Sequence, residues 1–338
     1  MSAQVETGQR LVNGQGRPTR DFDCSVVISL FNKAPFIERT LQSALDQSYP
    51  AREIIVVDGG STDGSIAKVA AMAEHHPSIR LICQIDNGVS EGRNRGIAEA
   101  GGKWVSFLDG DDAYLPWYIE EMAKLADISR QAIFLGARCT ELRPDYDLRA
   151  VAVRESGGKA ERGVVPHFYE RWWHGNIFFT SSFCARRAIL RSFAEPFPVG
   201  EHLGEDLELF FRLAERGSLA ATSRISAVYA VGVPDGLTER GKELYIIPSV
   251  QRLRERVETP QFPASERPGA RRCLATKWLS IARARARHGD PAGAFQLMRE
   301  PITRHRPIYW LRTAGLVAAA VAKQAVIGGT PSASLRKN

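Results

Sequence analysis

Four short apolar runs alternate with helical patterns in the first third of the chain, and this alternation constrains the fold most. The runs are rich in β-branched residues and cover residues 24–30, 53–57, 79–84 and 104–108. Such runs are typical of strands buried on both faces in a parallel sheet. Apolar residues recur at helical spacing between them, over residues 36–45, 66–75 and 90–100. We therefore predict a doubly wound α/β domain with helices flanking a parallel or mixed sheet.

Polar residues follow three of these predicted strands. Phe31-Asn32-Lys33 follows the first, Asp58 the second, and Asp109 with Asp111 the fourth. Ligands of open α/β sheets bind beyond the carboxyl ends of the strands, so we expect these residues around one crevice. The chain has no Gly-x-Gly-x-x-Gly after the first strand and no P-loop motif, which argues against a classical dinucleotide or P-loop site.

Three aspartates stand in Asp109-Gly110-Asp111-Asp112, directly after the fourth predicted strand. Clustered carboxylates are hard oxygen ligands that suit Mg²⁺ or Mn²⁺, and such an ion can bridge them to a diphosphate. A solvated loop or a helix cap is the alternative at this point. Other features of the sequence are needed to distinguish a metal site from a loop or a helix cap.

A further acidic pair begins the helical pattern after Gly204. Glu205 and Asp206 would lie on its first turn, where the helix dipole favours ionised carboxylates. An ionised, positioned carboxylate can act as a general base, whereas simple capping of the helix needs no chemistry. Both interpretations stay open on this feature alone.

Charge is spread unevenly along the chain. Residues 1–245 hold 28 Lys and Arg against 33 Asp and Glu, whereas residues 246–338 hold 17 against 5. The basic region suits an anionic membrane surface, an acidic partner or plain solvation. No RNA-binding or zinc-finger pattern accompanies it, so we expect no nucleic-acid partner.

The five cysteines are widely spaced, so neither a disulfide framework nor a zinc site is indicated, and a cytoplasmic location fits best. We predict a disordered N-terminal tail over residues 1–22 without a signal peptide, a catalytic domain over 23–245 and a basic helical region over 246–338. The apolar stretch 308–328 is interrupted by Arg312 and Lys323, so we expect it to be interfacial or buried, and not to span a membrane.

Four ordered segments together resemble the family-2 glycosyltransferases, inverting enzymes of the GT-A fold that use nucleotide-activated sugars. They are residues 26–33, 54–64, 87–97 and 107–112, and Gly204-Glu205-Asp206 stands where the family keeps its base. The resemblance covers about residues 24–218. It implies a Rossmann-like GT-A sheet with flanking helices, followed here by a small helical region.

The resemblance also implies a role for each matching residue. Ser29, Phe31 and Asp58 would hold the nucleotide base, with Phe31 against its face and Asp58 accepting a hydrogen bond from its edge. Arg93 would lie near the base and the phosphates. Asp109 would be shared between the ribose and the metal, and Asp111 would bind the metal, Mn²⁺ or Mg²⁺. Asp206 would deprotonate the acceptor hydroxyl.

These roles imply transfer of a sugar, with a UDP-sugar as the default donor, to a saccharide or lipid-linked acceptor with inversion. Polysaccharide or glycoconjugate synthesis is the expected context, and peripheral contact with the cytoplasmic face of a membrane fits the basic region. The chain departs from the family downstream of the base. Tyr229-Ala230-Val231-Gly232 stands there without the family's Tyr-Arg or nearby His, so the third protein ligand of the metal is in doubt.

Two other functions are compatible with parts of this pattern. Haloacid-dehalogenase-like phosphatases also place Asp-x-Asp at a strand end, but on the first strand. A non-catalytic nucleotide-sugar sensor or scaffold would explain the missing histidine, although Asp109, Asp111 and Asp206 are all present.

Overall fold

Four parallel strands begin the sheet of this protein. The structure, a computed structural model, describes residues 22–85, 88–158, 160–201, 203–233 and 244–328, with side chains up to residue 323. The strands are β1 (Cys24–Leu30), β2 (Glu53–Asp58), β3 (Ile79–Cys83) and β4 (Trp104–Asp109), in the spatial order β3-β2-β1-β4. The predicted parallel arrangement is confirmed, and each strand ends within one residue of its expected position.

Three helices connect these strands, as the periodicity predicts. They are α1 (Ile37–Leu45), α2 (Ser65–His75) and α3 (Val89–Glu99). Helix α3 lies very close to β1, since a Cβ atom on Gly96 would stand 2.2 Å from Val27 Cγ1. A glycine is therefore needed at this contact. It brings the start of α3, which carries Arg93, near the carboxyl end of the sheet.

The sheet becomes mixed beyond β4, which explains why hydrophobic runs alone describe this half less well. In the described part of the chain it contains β5 (Ala113–Tyr114), β6 (Phe134–Leu142), β7 (Arg162–Val165), β8 (Phe183–Arg186) and β9 (Leu219–Ala230). The order continues β4-β8-β6-β9-β5, with β8 antiparallel to both neighbours and β7 paired with β9. Helices α4 (Tyr118–Ile128) and α5 (Leu148–Glu155) lie in this half, with the short helix α7 (Arg187–Leu190).

The chain divides into two compact units. The first contains the sheet and comprises the residues up to Val165 together with Ile177–Gly200 and Gly217–Val233. Its core combines aliphatic and aromatic side chains, and Val26, Ile28 and Val56 have no exposed surface. The second unit is helical and comprises Pro166–Asn176, Glu201–Arg216 and the residues from Pro234 onward.

The helices of the second unit come from three separate stretches of sequence. They are α6 (Phe168–Trp173), α8 (Glu205–Ala214), α9 (Pro248–Val257), α10 (Arg267–Arg287), α11 (Pro291–Met298) and α12 (Pro307–Gly328). The sequence of residues 278–288 and 291–298 predicts a short helical pair, which α10 and α11 confirm, although α10 begins well before residue 278. Trp172 of α6 is buried and packs on Phe168 and Phe210, so it serves the core of this unit.

Some of the sequence-based expectations concern residues that the structure does not describe. The predicted disordered tail and Asn87 of the third resembling segment fall in stretches that the structure does not describe, apart from Phe22. The boundary near residue 245 stays a prediction. Within the described residues, no helix is both long enough and apolar enough to cross a membrane.

Candidate active site

The loop after β1 is tied to the loop after β2 by hydrogen bonds. The backbone N–H of Asn32 donates to Ser61 Oγ at 2.8 Å, and the N–H of Thr62 donates back to Asn32 Oδ1 at 2.8 Å. Asn32 has a left-handed backbone with φ of 50°, which asparagine tolerates better than most residues. A second link runs from the N–H of Ala34 to Asp63 Oδ2 at 2.8 Å. The two strand ends that were predicted to share a crevice therefore form one rigid rim.

Asp58 ends β2 inside this rim and is fully buried. Its Oδ2 atom accepts hydrogen bonds from the N–H groups of Gly60 and Ser61, both at 2.9 Å. Its Oδ1 atom is buried and has no hydrogen-bond partner among the described residues. Leaving a buried carboxylate oxygen unpaired is costly, so this atom is suited to accept a hydrogen bond from a ligand.

Phe31 follows β1 directly and leaves 59% of its surface exposed. Leu30, the residue before it, is the register partner of Asp58 across β1 and β2. An exposed aromatic ring next to a buried unpaired acceptor offers one face for stacking and one edge for hydrogen bonding. This combination suits a planar heterocycle.

Asp109 joins two other predicted site residues at the end of β4. Its Oδ1 atom accepts from Ser29 Oγ at 2.9 Å and from Arg93 Nη2 at 2.7 Å. Arg93 is only 4% exposed, and its guanidinium lies 5.3 Å from the ring centroid of Phe197. Asn94 fixes Phe197 through two backbone hydrogen bonds, of 2.7 and 2.9 Å. The structure therefore brings Ser29, Arg93 and Asp109 into one hydrogen-bonded group.

Asp111 is paired with a lysine from the β1 loop. Lys33 Nζ lies 2.6 Å from Asp111 Oδ2, and the two side chains are 18% and 15% exposed. Burial raises the pKa of Asp111, and the charge of the neighbouring Asp109 raises it further. The Lys33 ammonium lowers the pKa, but the net shift is upward. A cation near these two carboxylates would favour their ionised forms.

Asp112 has a structural position, unlike its two neighbours. It is 1% exposed, and its Oδ1 accepts from the backbone N–H of Ala230 at 2.8 Å. Burial, with the charges of Asp111 and Asp109, raises its pKa well above the usual range. Thr40 of α1 also donates to the carbonyl oxygens of Gly110 and Asp112. Asp112 and Thr40 therefore shape the loop that presents Asp109 and Asp111.

The donor set at this loop is compatible with a divalent cation. Asp109 and Asp111 provide two hard oxygen ligands, whereas no group of three His, Cys, Asp or Glu side chains with metal-binding geometry occurs among the described residues. Mg²⁺ commonly binds through one or two carboxylates and completes its shell with substrate phosphates and water. The residues present thus fit a metal that arrives with a diphosphate.

Asp206 lies in the second unit, on the first turn of α8. Its Oδ1 atom accepts from the N–H of Leu207 at 2.7 Å. Glu208 of the same turn is 3% exposed and is paired with Arg252 and Arg256 of α9, at 3.2 and 2.8 Å. Gly204 precedes the helix with φ of 78°, and a side chain there would collide with Ile247. The helix start that carries Asp206 is therefore fixed by α9 and by the segment before it.

Two residues around the site, Phe197 and Ser181, carry no recognisable signal in the sequence, and the ion pair of Lys33 carries none either. Phe197 supports Arg93 from a loop about a hundred positions away. Ser181 accepts from the backbone N–H of Asp109 at 3.1 Å through its Oγ atom. Lys33 stands in a predicted strand-end segment, but its ion pair with Asp111 depends on the tertiary fold. Long-range contacts of this kind need the topology of the sheet.

The sequence matches a known protein family over this part of the chain. A profile of the family described as Glycosyl transferase family 2 matches residues 25–185. Among curated relatives, the succinoglycan biosynthesis protein ExoO of Rhizobium meliloti is 39% identical over 106 residues. That match covers 31% of this chain and 30% of ExoO. The chain thus matches less than a third of that relative's length.

Two solved structures share the fold. TarS from S. aureus in complex with UDP-GlcNAc aligns with a TM-score of 0.57 and 14% identity, covering 89% of this chain and 92% of that one. The mannosyltransferase PcManGT from Pyrobaculum calidifontis, in complex with GDP-Man and Mn²⁺, aligns with a TM-score of 0.56 and 20% identity, covering 93% and 90%. Both confirm the GT-A fold expected from the sequence. The phosphatase alternative has no support, since Asp109 ends the fourth strand and not the first. Residues 25–185 of the chain are therefore similar to glycosyl transferase family 2, whose profile they match.

Proposed function

We propose that this protein transfers a sugar from a nucleotide-sugar donor to an acceptor hydroxyl, with inversion at the anomeric carbon. The observation that carries the proposal is the buried Oδ1 atom of Asp58, which has no partner among the described residues and lies at the strand end beside the exposed Phe31. A nucleobase with an N–H on its edge satisfies that atom while its face covers the phenyl ring.

Uridine is the base that we propose, so the donor would be a UDP-sugar. Uracil offers a single N–H on the edge that Asp58 would contact. A UDP-sugar is also the ligand named for TarS. Ser29 and Arg93 would hold Asp109 in place beside the ribose, and Arg93 would add positive charge near the phosphates.

Asp109 and Asp111 would hold a divalent metal, Mn²⁺ or Mg²⁺, together with the diphosphate of the donor. The structure of PcManGT includes Mn²⁺, which supports this class of cofactor. When bound, such an ion stabilises the negative charge that develops on the departing diphosphate. Lys33, which contacts Asp111, would place a further positive charge at this end of the site.

Asp206 is the general base that we propose for the acceptor. A hydroxyl is a weak nucleophile at neutral pH, and a carboxylate that accepts its proton contributes about 10²–10⁴ in rate. The first turn of α8 favours the ionised carboxylate through the helix dipole. One base and direct attack give a single displacement, hence inversion. The acceptor would be a saccharide or lipid-linked glycan in polysaccharide synthesis at the cytoplasmic side of a membrane, in line with the succinoglycan role named for ExoO.

Binding of UDP to Asp58→Asn tests the donor site. Asparagine has a single carbonyl oxygen. If this oxygen accepts from the backbone donors, the NH₂ group faces the base, and in the opposite orientation the base meets a neutral and therefore weaker acceptor. We expect titration calorimetry to give an affinity about tenfold to a hundredfold weaker. Asp46→Asn changes an exposed carboxylate at the end of α1 and serves as the control. Equal affinities for the two variants would contradict the assigned donor site.

Turnover tests the reaction separately from binding. We expect Asp206→Asn to lower kcat by about 10²–10⁴ while UDP still binds, and Asp111→Ala to lose the activity that metal supports. Release of UDP from a UDP-sugar panel, with and without a chelator, measures both. A wild-type protein that binds UDP-sugars but transfers none of them to any acceptor would favour the sensor alternative.

A further inference from the structure

Helix α12 exposes an apolar face. Ile308 and Leu311 leave 69% and 65% of their surfaces exposed. At 100° per residue, Gly315, Ala319 and Ala322 continue the same stripe and are exposed as well. Exposed apolar stripes of this kind are unusual on soluble surfaces and mark sites of interaction.

The opposite face of α12 already has its partners within the second unit. Thr313 and Val317 are buried, and Val317 belongs to a cluster with Leu279 of α10 and Met298 of α11. Trp310 Nε1 donates to the carbonyl oxygen of Met298 at 3.0 Å. The helix is thus anchored by one face, and the apolar stripe is not the face that packs on α10 and α11.

Basic side chains accompany this stripe without acidic partners. Earlier in the second unit, arginines are neutralised internally, as in Arg254 with Glu300 and Arg271 with Glu258. Beyond Glu300 the sequence contains no Asp or Glu at all. Arg304, Arg312 and Lys323 are exposed, and none of them pairs with a carboxylate in the part of the chain that the structure describes.

Arg312 and Lys323 lie along one flank of the stripe, at about 40° and 60° from Ile308 on the helical wheel. Long basic side chains can keep their charges at headgroup level while the helix contacts the acyl boundary. Their positive charge is complementary to phosphate groups, and the apolar side chains between them are complementary to hydrocarbon. An acidic polymer such as RNA would use the charges but would gain nothing from Ile308 and Leu311.

We propose that α12 docks by this face onto the surface of a bilayer that contains anionic phospholipid. The helix would lie in the plane of the interface, because none of the described helices is apolar enough to span. The inference does not depend on the proposed reaction. It would place the chain at the same surface as a lipid-linked acceptor.

Flotation of the full chain with vesicles tests the proposal. We expect binding to vesicles of equal parts phosphatidylglycerol and phosphatidylcholine, and at least about tenfold weaker binding to phosphatidylcholine alone or at high salt. Leu311→Asn should weaken binding to the mixed vesicles by about tenfold through the apolar contact. Arg312→Glu should weaken it by about tenfold through the charge.

Two matched variants in the first unit serve as controls. Ile128 is 56% exposed at the end of α4, and Arg191 is exposed after α7. Ile128→Asn and Arg191→Glu should bind the mixed vesicles like the wild type, and thermal melts of all four variants should match because every substituted side chain is exposed.

Three results would overturn the proposal. One is the absence of binding to mixed vesicles. Another is binding that Leu311→Asn leaves unchanged, which indicates charge alone, as with an acidic polymer. The third is a concentration-dependent dimer that Leu311→Asn abolishes in the absence of vesicle binding, which indicates that a second copy covers the stripe.

Discussion

Lys33 forms an ion pair with Asp111, the carboxylate that we propose as a metal ligand. Its ammonium lies 2.6 Å from Asp111 Oδ2, and both side chains are mostly buried. An incoming cation would have to move this ammonium away. We therefore expect Lys33→Met to bind Mn²⁺ at least about tenfold more tightly in the absence of nucleotide, since a repulsive neighbouring charge has been removed. Free Mn²⁺ measured by electron paramagnetic resonance gives the affinity without any turnover.

Lys68→Met provides the matched control for this change. Lys68 also forms a 2.6 Å ion pair, with Glu38, but on the exposed surfaces of α2 and α1. Its substitution should leave Mn²⁺ binding unchanged. If Lys33→Met bound Mn²⁺ no more tightly than Lys68→Met, the ammonium would not compete with metal, and Asp111 would be a weaker candidate ligand.

Position after a strand was sufficient to predict where several candidate site residues lie. Asp58, Asp109 and Asp111 all stand at carboxyl ends of parallel strands, where the fold places ligands. The sequence did not predict that Arg93 would be bound to Asp109, or that Phe197 would support it. Those contacts depend on how closely α3 approaches β1 and on the path of a distant loop.

Substitution of Asn32 tests the hydrogen-bonded link between the loops after β1 and β2. Its side chain accepts from Thr62, and its backbone is left-handed. Both Asn32→Ala and Asn32→Gly remove the side-chain acceptor, but only alanine must also adopt the unfavourable φ. We expect Asn32→Gly to exceed Asn32→Ala by about 1 kcal/mol in free energy of unfolding, measured with urea. Equal stability would mean that the loop relaxes to another conformation without cost.

Glu121 of α4 links this helix to strands β7 and β9 in the mixed half of the sheet. Arg162 of β7 contacts both of its carboxylate oxygens at 2.7 Å, and Arg224 of β9 adds a contact of 3.1 Å. Burial alone would raise the pKa of Glu121, but the bonds and charges of Arg162, with those of Lys124 and Arg224, outweigh it and lower the pKa. Breaking a buried pair by removing one partner costs about 3–5 kcal/mol. We expect Glu121→Gln to approach that loss at neutral pH.

The stability lost in Glu121→Gln should depend on pH in a defined direction. A carboxyl whose pKa is lowered by folding contributes its stability above the unfolded value of about 4.3, and this contribution disappears as the pH falls through the folded pKa. The difference in free energy of unfolding between wild type and Glu121→Gln should therefore be largest at neutral pH and shrink below about pH 4. Glu74→Gln, at an exposed position on α2, is the control. A difference that stayed constant down to low pH would contradict the assigned role of the charge.

Elements were predictable where their own residues determine them. The first four strands and their helices follow from local periodicity. Strands β1, β2 and β4 are buried on both faces, whereas the edge strand β3 is only partly buried. The segment 141–165 is polar and contains Pro, Asp, Arg and Gly, a composition that predicts an excursion from the domain. In the structure it includes the end of β6, helix α5 and strand β7. Strand β7 has few apolar residues and exists through its pairing with β9, nearly sixty positions further on. Pairing over that distance leaves little trace in the local pattern.

At the scale of the whole molecule, composition and tertiary contacts divide the chain differently. The change to an Arg-rich composition suggested a boundary near residue 245, whereas the helical unit also includes residues 166–176 and 201–216. The chain leaves the sheet unit and returns to it twice before residue 233. A composition window sees a single transition, because α6 and α8 are no more basic than their surroundings.

Truncation at residue 245 tests which division governs folding. Within the helical unit, Tyr169 of α6 is fully buried and packs on Phe262 at 5.7 Å between ring centroids. The carboxylate of Glu266 accepts from the N–H groups of Phe168 and Tyr169, and Arg256 neutralises the buried Glu208. Every one of these partners lies beyond residue 245. Without them, α6 and α8 would expose aromatic side chains and retain an unpaired carboxylate.

We therefore expect the fragment ending at residue 245 to aggregate, or to lose the cooperative thermal transition of the full chain. Circular dichroism melts and size-exclusion chromatography of the two proteins measure this. A monomeric fragment with a sharp transition near that of the full chain would favour the boundary expected from composition. In that case the contacts of α6 and α8 with α9 and α10 would add little to stability.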